Sequence, residues 1–385
     1  MNKELENKVD KTIAELKKAW DVVRHRNPFV AFSTGKDSLL VASLLYEAVA
    51  PERPICLYSH HPMEFQCFLD YLETLRERFD IHVVKPFLEY FELMDRGIGF
   101  LTLKDPWCVP LLVGTGILEW FQQRGVASPQ HCFMFRGMSG GEFSHKWHSK
   151  IEVYDRLNLP TMNPILGFNV EEILEVLRER YRIPLNPIYE HMNRTYCICC
   201  YTSDQKRQAY SEEHHPEVCR KYYGQIEEML FDSGLIHKTS VDEKYKTKEE
   251  KLERHGFVHW NRIKEQNTVG AIKQKVPPDG FCYHIRDEAW INTKHLLPVE
   301  GRWKREGNKI IFWNIPEGKC DCLIKRMLNC LDCGFCMVQC FPVRHFNREN
   351  KTLELTNCLK CGQCINLKFC MGCKHRFWRR TIAEK

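Results

Sequence analysis

Short apolar runs alternate with segments of helical hydrophobic periodicity from the N-terminus to about residue 235. The runs at 28–32, 55–58, 81–84 and 132–135 predict buried strands. The periodic segments at 39–49, 64–79, 111–123 and 170–181 predict amphipathic helices. Strands separated by helices indicate an α/β fold with a doubly wound parallel sheet and right-handed crossovers.

The pattern changes after this region. The charged run DEKYKTKEEKLER predicts a solvated helix or linker. Glycines and prolines then interrupt short apolar stretches from 277 to about 316, which predicts a small β-rich insert. We therefore predict three domains, an α/β domain at 1–240, a linker with the β-rich region at 241–318 and a cysteine-rich domain at 319–385.

Composition narrows the class of protein. No apolar run approaches the roughly 20 residues that span a bilayer, and the first helical segment does not have the apolar core of a signal peptide. The net charge of +6 is compatible with a nucleotide or nucleic-acid partner. Of the 20 cysteines, 11 lie between Cys320 and Cys373. We expect a cytoplasmic protein without a membrane partner, whose clustered thiols bind metal rather than form disulfides.

The stretch AFSTGKDSLL follows the first predicted strand directly, at the sheet edge where open α/β folds bind ligands. The backbone N–H groups of Ser33, Thr34 and Gly35, with the start of the next helix, predict an anion cradle. Lys36 adds a mobile positive charge for a phosphate. Asp37 either caps the helix or helps to hold Mg²⁺ against the phosphates. The alternative is an ordinary helix-capping turn without a ligand.

This turn resembles the PP-loop, S-G-G-K-D-S, of the ATP pyrophosphatase superfamily. Here it reads Ser33-Thr34-Gly35-Lys36-Asp37-Ser38, with threonine in place of one glycine. The stretch NPILGFNVEEILEVLRERYRIPLNPIYE and the weaker matches YSHHPMEF and GMSGGEFSHK extend the resemblance to the phosphoadenylylsulfate (PAPS) reductase-like branch, over residues 25 to 220. The resemblance implies an adenine nucleotide alpha hydrolase-like fold. It also implies nucleotide contacts from the PP-loop, Gly137 and Glu142.

The same resemblance implies a choice between two activities. The sulfonucleotide reductases of the branch replace the lysine-aspartate pair and end in a cysteine tail, E-C-G-[IL]-H. This chain keeps Lys36-Asp37 and has no such tail, which favours splitting ATP into AMP and pyrophosphate with Mg²⁺. An adenylated acceptor, such as tRNA or DNA, would then receive sulfur. The alternatives are a PAPS or APS reductase that releases sulfite, and a non-catalytic nucleotide-binding or electron-transfer partner.

Three cysteines follow the last helix of the matched region, namely Cys197, Cys199 and Cys200. Nearby basic residues, including Lys206 and Arg207, favour the thiolate form. Cys197 and Cys200 are therefore candidates for carrying sulfur as a persulfide. The resemblance to the branch offers an alternative, in which this group ligates a further 4Fe–4S cluster with Cys219 or with Cys320 and Cys322. A third interpretation is that the three cysteines are buried structural thiols.

The C-terminal cysteines have the spacing of iron–sulfur ligands. The first motif, C-x2-C-x2-C-x3-C, consists of Cys330, Cys333, Cys336 and Cys340. The second motif consists of Cys358, Cys361 and Cys364, followed by Cys370 and Cys373. Three thiolates at three-residue steps can bind three corners of a cubane. Zinc is the alternative, but it prefers paired C-x2-C knuckles.

This segment is similar to bacterial two-cluster ferredoxins, in which the fourth ligand comes from the other motif. The similarity implies one or two 4Fe–4S clusters. Cys370 or Cys373 would complete the first motif, and Cys340 would complete the second. Such a small module depends on its metal for folding. We expect a cysteine desulfurase or an electron donor protein as partner. The tail KHRFWRR either contacts nucleic acid or packs on the module.

Overall fold

The computed structural model describes residues 1–99, 101, 106–140, 148–154, 156–195, 197–200, 205–232, 271–285, 291–341, 343–356, 358–365, 368 and 370–375. The predicted charged linker and most of the basic tail lie outside these residues. The chain divides into two compact units, Met1–Pro86 with Leu112–Pro216, and Phe87–Leu111 with Glu217–Lys385. The predicted division into three domains stays a prediction.

The first unit is built on a six-stranded sheet with the order β3-β2-β1-β4-β6-β5. Its strands are β1 (Pro28–Phe32), β2 (Ile55–Ser59), β3 (Asp80–Val84), β4 (Phe133–Arg136), β5 (Ile151–Tyr154) and β6 (Leu159–Met162). All neighbouring strands pair in parallel except β5, which is antiparallel to β6 at the edge. The predicted α/β fold with a mainly parallel sheet is therefore confirmed.

The described residues of this unit contain six α-helices. They are α1 (Lys3–Val23), α2 (Lys36–Val49), α3 (Gln66–Leu75), α5 (Thr115–Gln123), α6 (Val170–Glu179) and α7 (Gln205–His214). Helix α5 follows a π-helix at Val109–Gly114. Helix α2 is apolar on nearly every side and is largely buried, so it fixes the turn that precedes it.

Two helix predictions differ from the structure. The helix predicted at 64–79 is shorter, because α3 begins at Gln66 and the preceding residues form a turn. The helix predicted at 111–123 is α-helical only from Thr115. There Gly116 lies so close to β3 that a Cβ atom would be 2.7 Å from the carbonyl oxygen of Lys85. Both differences place loop or π-helical backbone at the sheet edge where ligands bind in such folds.

The second unit contains a four-stranded antiparallel sheet in the order β7-β8-β10-β9. Its elements are α4 (Tyr90–Asp95), α8 (Pro216–Asp232), β7 (Ala271–Val276), β8 (Gly280–Ile285), β9 (Trp303–Glu306), β10 (Lys309–Trp313), α9 (Glu317–Asn329), β11 (Arg344–Asn347), β12 (Thr352–Leu355) and a short helix at Met371–His375. This sheet lies where the sequence predicts a small β-rich region. One face packs against α9 through an apolar cluster that includes Ile310, Phe312 and Leu323.

Residues 87–111 belong to the second unit although the sequence predicts them within the first domain. Phe87 stacks on Phe346 with ring centroids 4.3 Å apart. Arg96 donates hydrogen bonds to the carbonyl oxygens of Leu331 and Lys351, both at 3.0 Å. These contacts are far apart in sequence, so a local hydrophobic pattern does not indicate them. Among the described residues, no helix has the length and apolarity needed to cross a membrane.

Candidate functional site

The turn between β1 and α2 contains a residue in the left-handed backbone conformation, which glycine adopts most easily. Thr34 has φ of 59° and is fully buried. Such a conformation is strained for a β-branched residue. Asn186 compensates in part, because its Nδ2 donates a hydrogen bond of 3.2 Å to the Thr34 hydroxyl. The threonine in this PP-loop-like turn therefore depends on a partner from a distant loop.

Hydrogen bonds hold the turn in place from both sides. The Ser38 hydroxyl accepts from the backbone N–H of Ser33 at 3.1 Å and donates to the carbonyl of Gly35 at 3.0 Å. The backbone N–H of Lys36 donates to the Tyr189 hydroxyl at 3.0 Å. Burial raises the pKa of Tyr189 to about 12, so this hydroxyl stays protonated at neutral pH. Tyr189 and Asn186 belong to the matched segment, but sequence reasoning did not assign either to the site.

Lys36 and Asp37 form a nearly buried ion pair at the start of α2. The Lys36 ammonium donates to Asp37 Oδ2 at 2.6 Å, and the two side chains are 7% and 14% exposed. The other carboxylate oxygen, Asp37 Oδ1, is buried without a hydrogen-bond partner among the described residues. A buried acceptor of this kind is costly unless a ligand binds to it. The pair thus combines a cation and an unsatisfied anionic oxygen beside the turn.

A cavity of about 320 Å³ opens at the carboxyl ends of β1, β2 and β4. Its apolar wall consists of Ala31, Phe32, Leu57, Tyr58, Phe68, Val113 and Ile117. Its polar wall consists of Ser33, Ser38, Ser59, His61, Glu64, Arg136, Thr195 and Cys197, with Gly137 beside them. The cavity thus includes four predicted site residues, Ser33, Ser38, Gly137 and Cys197. The predicted residues Thr34, Gly35, Lys36, Asp37 and Cys200 are not among those that line it.

Gly137 allows β4 and its following loop to approach the start of α2. A Cβ atom on Gly137 would lie 2.6 Å from the backbone carbon of Asp37 and 2.6 Å from the nitrogen of Ser38. Only glycine fits such a contact between two backbones. The predicted partner Glu142 lies outside the described residues.

Arg136 lies on the cavity wall at the end of β4. Its guanidinium donates to Glu152 Oε1 at 2.9 Å and to Asn163 Oδ1 at 3.1 Å. The pKa of Glu152 is lowered: burial opposes this, but hydrogen bonds from Asn163 and the backbone of Ser149, and the charge of Arg136, outweigh it. The carboxylate therefore stays charged and fixes the arginine at the cavity.

A histidine, a glutamate and a cysteine meet on the polar wall. The Cys197 sulfur lies 3.5 Å from His61 Nε2, and the same nitrogen lies 3.9 Å from Glu64 Oε1. Sequence reasoning nominated Cys197 but not His61 or Glu64. The signal was present, because the histidine pair in YSHHPMEF follows a predicted strand directly. The backbone N–H of Ile198 bonds to the carbonyl of Met63 at 2.6 Å, which joins the two segments.

The C-terminal cysteines form two groups by their electrostatic influence on one another. Burial raises the pKa of Cys333 well above its usual value, and Cys336, Cys330 and Cys370 contribute to the shift. Burial also raises the pKa of Cys330, to about 12. The fold therefore brings the first motif near Cys370. A hydrogen bond from the Cys373 thiol lowers the pKa of Cys370, so Cys370 ionises first of these two.

The second group surrounds Arg344. Burial raises the pKa of Cys340, Arg344 opposes the shift, and Cys364 and Cys361 add to it. The Arg344 guanidinium also contacts the Cys336 sulfur at 2.7 Å. Cys340 of the first motif is thus influenced by Cys361 and Cys364 of the second motif, and Arg344 connects the two motifs through its contact with Cys336.

All 20 cysteines lie within the described residues and are present as thiols, without disulfides. No group of three or more His, Cys, Asp or Glu side chains in the described ranges lies close enough together to hold a metal ion. The thiolates of a 4Fe–4S cluster bind four separate irons, so they lie farther apart than the ligands of one ion. The cysteines that influence one another's pKa values are therefore the candidates for such ligands.

Comparisons with known proteins give only remote structural likenesses. No protein-family model and no curated protein matches the chain. A PAPS reductase from Candida auris, in complex with phosphate, is 13% identical over 49% of this chain and 92% of its own, with a TM-score of 0.35. An FMN adenylyltransferase from Candida glabrata, with FAD and pyrophosphate, is 13% identical over 49% of this chain and 61% of its own, with a TM-score of 0.36. An NH3-dependent NAD synthetase from Campylobacter jejuni is 13% identical over 60% of this chain and 96% of its own, with a TM-score of 0.35. At these scores the likenesses do not establish a family or an activity.

Proposed function

We propose that this chain is a PP-loop ATP pyrophosphatase-type sulfurtransferase, which adenylates an acceptor and then inserts sulfur into it. One observation carries the proposal: a single cavity at the strand ends is lined by the loop residues Ser33 and Ser38 and by the Cys197 thiol. Sulfur transfer requires a nucleotide and a sulfur carrier near the same acceptor atom. A nucleic acid, either tRNA or DNA, is the proposed acceptor.

The cavity suits an adenine nucleotide. Its volume of about 320 Å³ lies at the small end of the range for ligand sites. Phe32, Leu57 and Phe68 offer an apolar surface to a base. The start of α2 supplies backbone N–H groups and the positive end of a helix dipole for phosphates. We place the base against the apolar wall and the phosphates against the turn.

Lys36 and Asp37 fit the charge that the reaction develops. When the acceptor oxygen attacks the α-phosphorus, the bond to the bridging oxygen breaks and pyrophosphate leaves with added negative charge. Lys36 would stabilise that charge after exchanging its bond to Asp37 for one to the phosphates. The unpartnered Oδ1 of Asp37 fits a cation, and Mg²⁺ held there would neutralise the leaving pyrophosphate.

Cys197 and Cys200 are the proposed sulfur-handling pair. The terminal sulfur of a persulfide on Cys197 would attack the acceptor atom that carries the adenylated oxygen, and AMP would leave with that oxygen and the bonding electron pair. Cys200 would then attack the Cys197 sulfur, which releases the thiolated acceptor and leaves a Cys197–Cys200 disulfide. The backbone N–H of Cys200 donates to the carbonyl of Cys197 at 3.2 Å, so the two residues share one tight turn. Two electrons are needed to restore both thiols.

The C-terminal cysteines are the proposed source of those electrons. We assign one 4Fe–4S cluster to each of the two sets of cysteines. The first cluster would be bound by Cys330, Cys333, Cys336 and either Cys370 or Cys373. The second cluster would be bound by Cys340, Cys358, Cys361 and Cys364. The second set includes Cys358 by its spacing alone. Clusters bound there would supply single electrons in sequence. Arg344 would offset the negative charge of the thiolates.

Pyrophosphate release tests the proposal. The chain is purified anaerobically and incubated with ATP, Mg²⁺ and either bulk tRNA or DNA, while AMP and pyrophosphate are measured. Lys36→Ala is expected to slow release by about 10²- to 10³-fold, as loss of one charge-stabilising group does. Lys17→Ala, at an exposed lysine of α1, is the matched control. An Asp37→Ala variant that keeps full release would remove the role given to Asp37.

A sulfonucleotide reductase is the second candidate. The sequence does not have the cysteine tail of those enzymes, but the Cys197 thiol on the cavity wall could attack a sulfonucleotide in its place. Incubation with PAPS and a reductant distinguishes the two, because a reductase releases sulfite and needs no ATP. If a chain with intact clusters releases neither sulfite nor pyrophosphate, the result would favour the non-catalytic alternative.

A further inference from the structure

His61 is a buried imidazole on the wall of the nucleotide cavity, and the proposed function leaves it without a role. It is 4% exposed. Its Nε2 faces the Cys197 sulfur at 3.5 Å. Its Nδ1 is buried and makes no hydrogen bond within the described part of the chain. A neutral imidazole that accepts a proton at Nε2 must carry its own hydrogen on Nδ1. An unsatisfied buried nitrogen is costly, which indicates a functional rather than a stabilising role.

Glu64 is oriented so that one of its oxygens faces this imidazole. Its Oε2 accepts from the Tyr58 hydroxyl at 2.9 Å and contacts His60 Nδ1 at 3.0 Å. The other oxygen, Oε1, lies 3.9 Å from His61 Nε2. A carboxylate held in this way would stabilise an imidazolium more than a neutral ring. The Cys197 sulfur and Glu64 Oε1 both lie beside Nε2 of His61, so a nucleophile, a base and an anion meet at this one nitrogen.

We propose that His61 is the general base for Cys197, and that the resulting thiolate accepts sulfane sulfur from a hydropersulfide, R–S–SH. The Cys197 proton moves to His61 Nε2, and the sulfur attacks the terminal sulfur of the donor. The donor S–S bond breaks, and R–S⁻ leaves and takes the proton from Nε2. The products are a Cys197 hydropersulfide and R–SH, with no net oxidation or reduction. The identity of the sulfur donor rests on the proposed sulfurtransferase function.

The charges around the pair are compatible with this direction of proton transfer. Burial lowers the pKa of His61, and Glu64 opposes that shift, so the ring is neutral at physiological pH and can accept a proton. Among the described residues, His60 also acts on the pKa of His61, and Tyr58 and Arg136 are further titratable groups on the cavity wall. Burial followed by Glu64 raises the pKa of Tyr58, so that phenol stays neutral.

Alkylation of the intact holoprotein by iodoacetamide tests the base without any nucleotide. The rate at Cys197 is followed by mass spectrometry between about pH 5 and pH 9, relative to Cys67 in the same molecule. His61→Gln is expected to raise the midpoint of the Cys197 profile by about one pH unit, which slows alkylation about tenfold near pH 7. His60→Gln is the matched control, because His60 contacts Glu64 on its other oxygen. In His60→Gln, the alkylation rate at Cys197 is expected to change by less than about twofold at each pH.

Two results would overturn the inference. The first is a Cys197 profile in the unsubstituted chain that coincides with that of an ordinary thiol. This measurement needs no variant, so it holds even if His61→Gln does not fold. The second is an unchanged profile in a folded His61→Gln protein. Incubation with glutathione hydropersulfide should add one sulfur atom to Cys197 in the unsubstituted chain and much less in His61→Gln. If pyrophosphate release fails while this transfer succeeds, only the ATP-dependent part of the proposed function is wrong.

Discussion

The two units of this chain position their chemically active residues by different means. In the first unit, the loop residues follow β1 and precede α2, and both elements are embedded in one large apolar cluster. In the second unit, most cysteines of the two motifs lie in irregular backbone or in short 3-10 segments. The first site is therefore held by packing that exists without a ligand. The second has far less regular structure around it.

The difference concerns what each site needs in order to be stable. Burial raises the pKa of Cys330 and Cys333, which means that their thiolates are unfavourable in the chain alone. A bound cation reverses this preference, because metal ligation requires the thiolate. The cavity of the first unit is formed by packing alone, so the proposed nucleotide would bind to a site that already exists. We therefore expect the stability of the second unit to depend on its metal cofactor. The stability of the first unit should depend little on a bound ligand.

The largest expected effect is the loss of a whole cluster. Cys333→Ser should reduce iron from about eight to about four atoms per chain, since one of the two proposed 4Fe–4S clusters loses a ligand. Residues of the first motif should then exchange amide hydrogen faster, while β1 and α2 stay protected. Cys132→Ser, at a buried cysteine of the first unit, is the matched control and should leave iron content unchanged.

This comparison fails if both variants keep full iron content, or if Cys333→Ser also exposes β1 and α2. The first outcome would exclude the first motif as a cluster site. The second would mean that the first unit also depends on the metal.

The next largest expected effect is a loss of stability caused by a clash between an added Cβ atom and a backbone carbonyl. Gly372 lies against the end of α9, where a Cβ atom would be 1.8 Å from the carbonyl oxygen of Asn329. Gly372→Ala must displace the short helix that carries Cys373, and we expect a loss of about 3 kcal/mol in unfolding free energy. Gly318→Ala is the control, because a Cβ atom there meets nothing within 4 Å. Urea unfolding of both holoproteins, followed by cluster absorbance, measures the difference. Equal midpoints would show that this contact is not formed.

Sequence reasoning was most successful where local pattern determines structure. The strand predicted at 28–32 is β1, and the run AFSTGKDSLL forms the predicted turn and helix start. Apolar periodicity and a helix start are properties of neighbouring residues, so a single sequence can show them. Cys197 was also placed in the candidate site, because three cysteines in four residues are conspicuous.

Residues that meet through tertiary packing were missed. His61 contacts Cys197 only because the segment before α3 pairs with the turn that holds Cys197, 136 residues away. Tyr189 reaches the N–H of Lys36 across 153 residues. Arg96 bonds to the backbone carbonyls of Leu331 and Lys351, and no local pattern around Arg96 reveals these contacts. Long-range contacts of this kind arise only when the whole chain folds.

A smaller clash tests the first unit alone. A Cβ atom on Gly137 would lie 2.6 Å from the carbonyl carbon of Asp37 and 2.6 Å from the nitrogen of Ser38. These are backbone atoms, so a change of side-chain rotamer cannot relieve the clash. Gly137→Ala should cost about 2 kcal/mol and weaken ATP binding about tenfold, because the turn must shift. Gly167→Ala is the control, since its Cβ position is open. Nucleotide binding by calorimetry and thermal unfolding check both effects, and iron content should not change. Unaltered ATP affinity in a folded Gly137→Ala protein would separate the nucleotide from this turn.

The smallest expected effect concerns a charge in the first unit, where packing is otherwise the main source of stability. Burial raises the pKa of Glu152, but hydrogen bonds from Asn163 and the backbone of Ser149, together with the charge of Arg136, outweigh burial and hold the pKa below its usual value of 4.5. A lowered pKa stabilises the folded state fully above about pH 4.5, and this contribution is lost as the pH falls through the folded pKa. Glu152→Gln should therefore cost about 1 kcal/mol at neutral pH and almost nothing in acid. Glu179→Gln is the control, because its partner Arg178 is exposed and such pairs contribute little. Urea unfolding at a series of pH values measures both, and equal costs at neutral pH would show that Glu152 contributes no more than a surface ion pair.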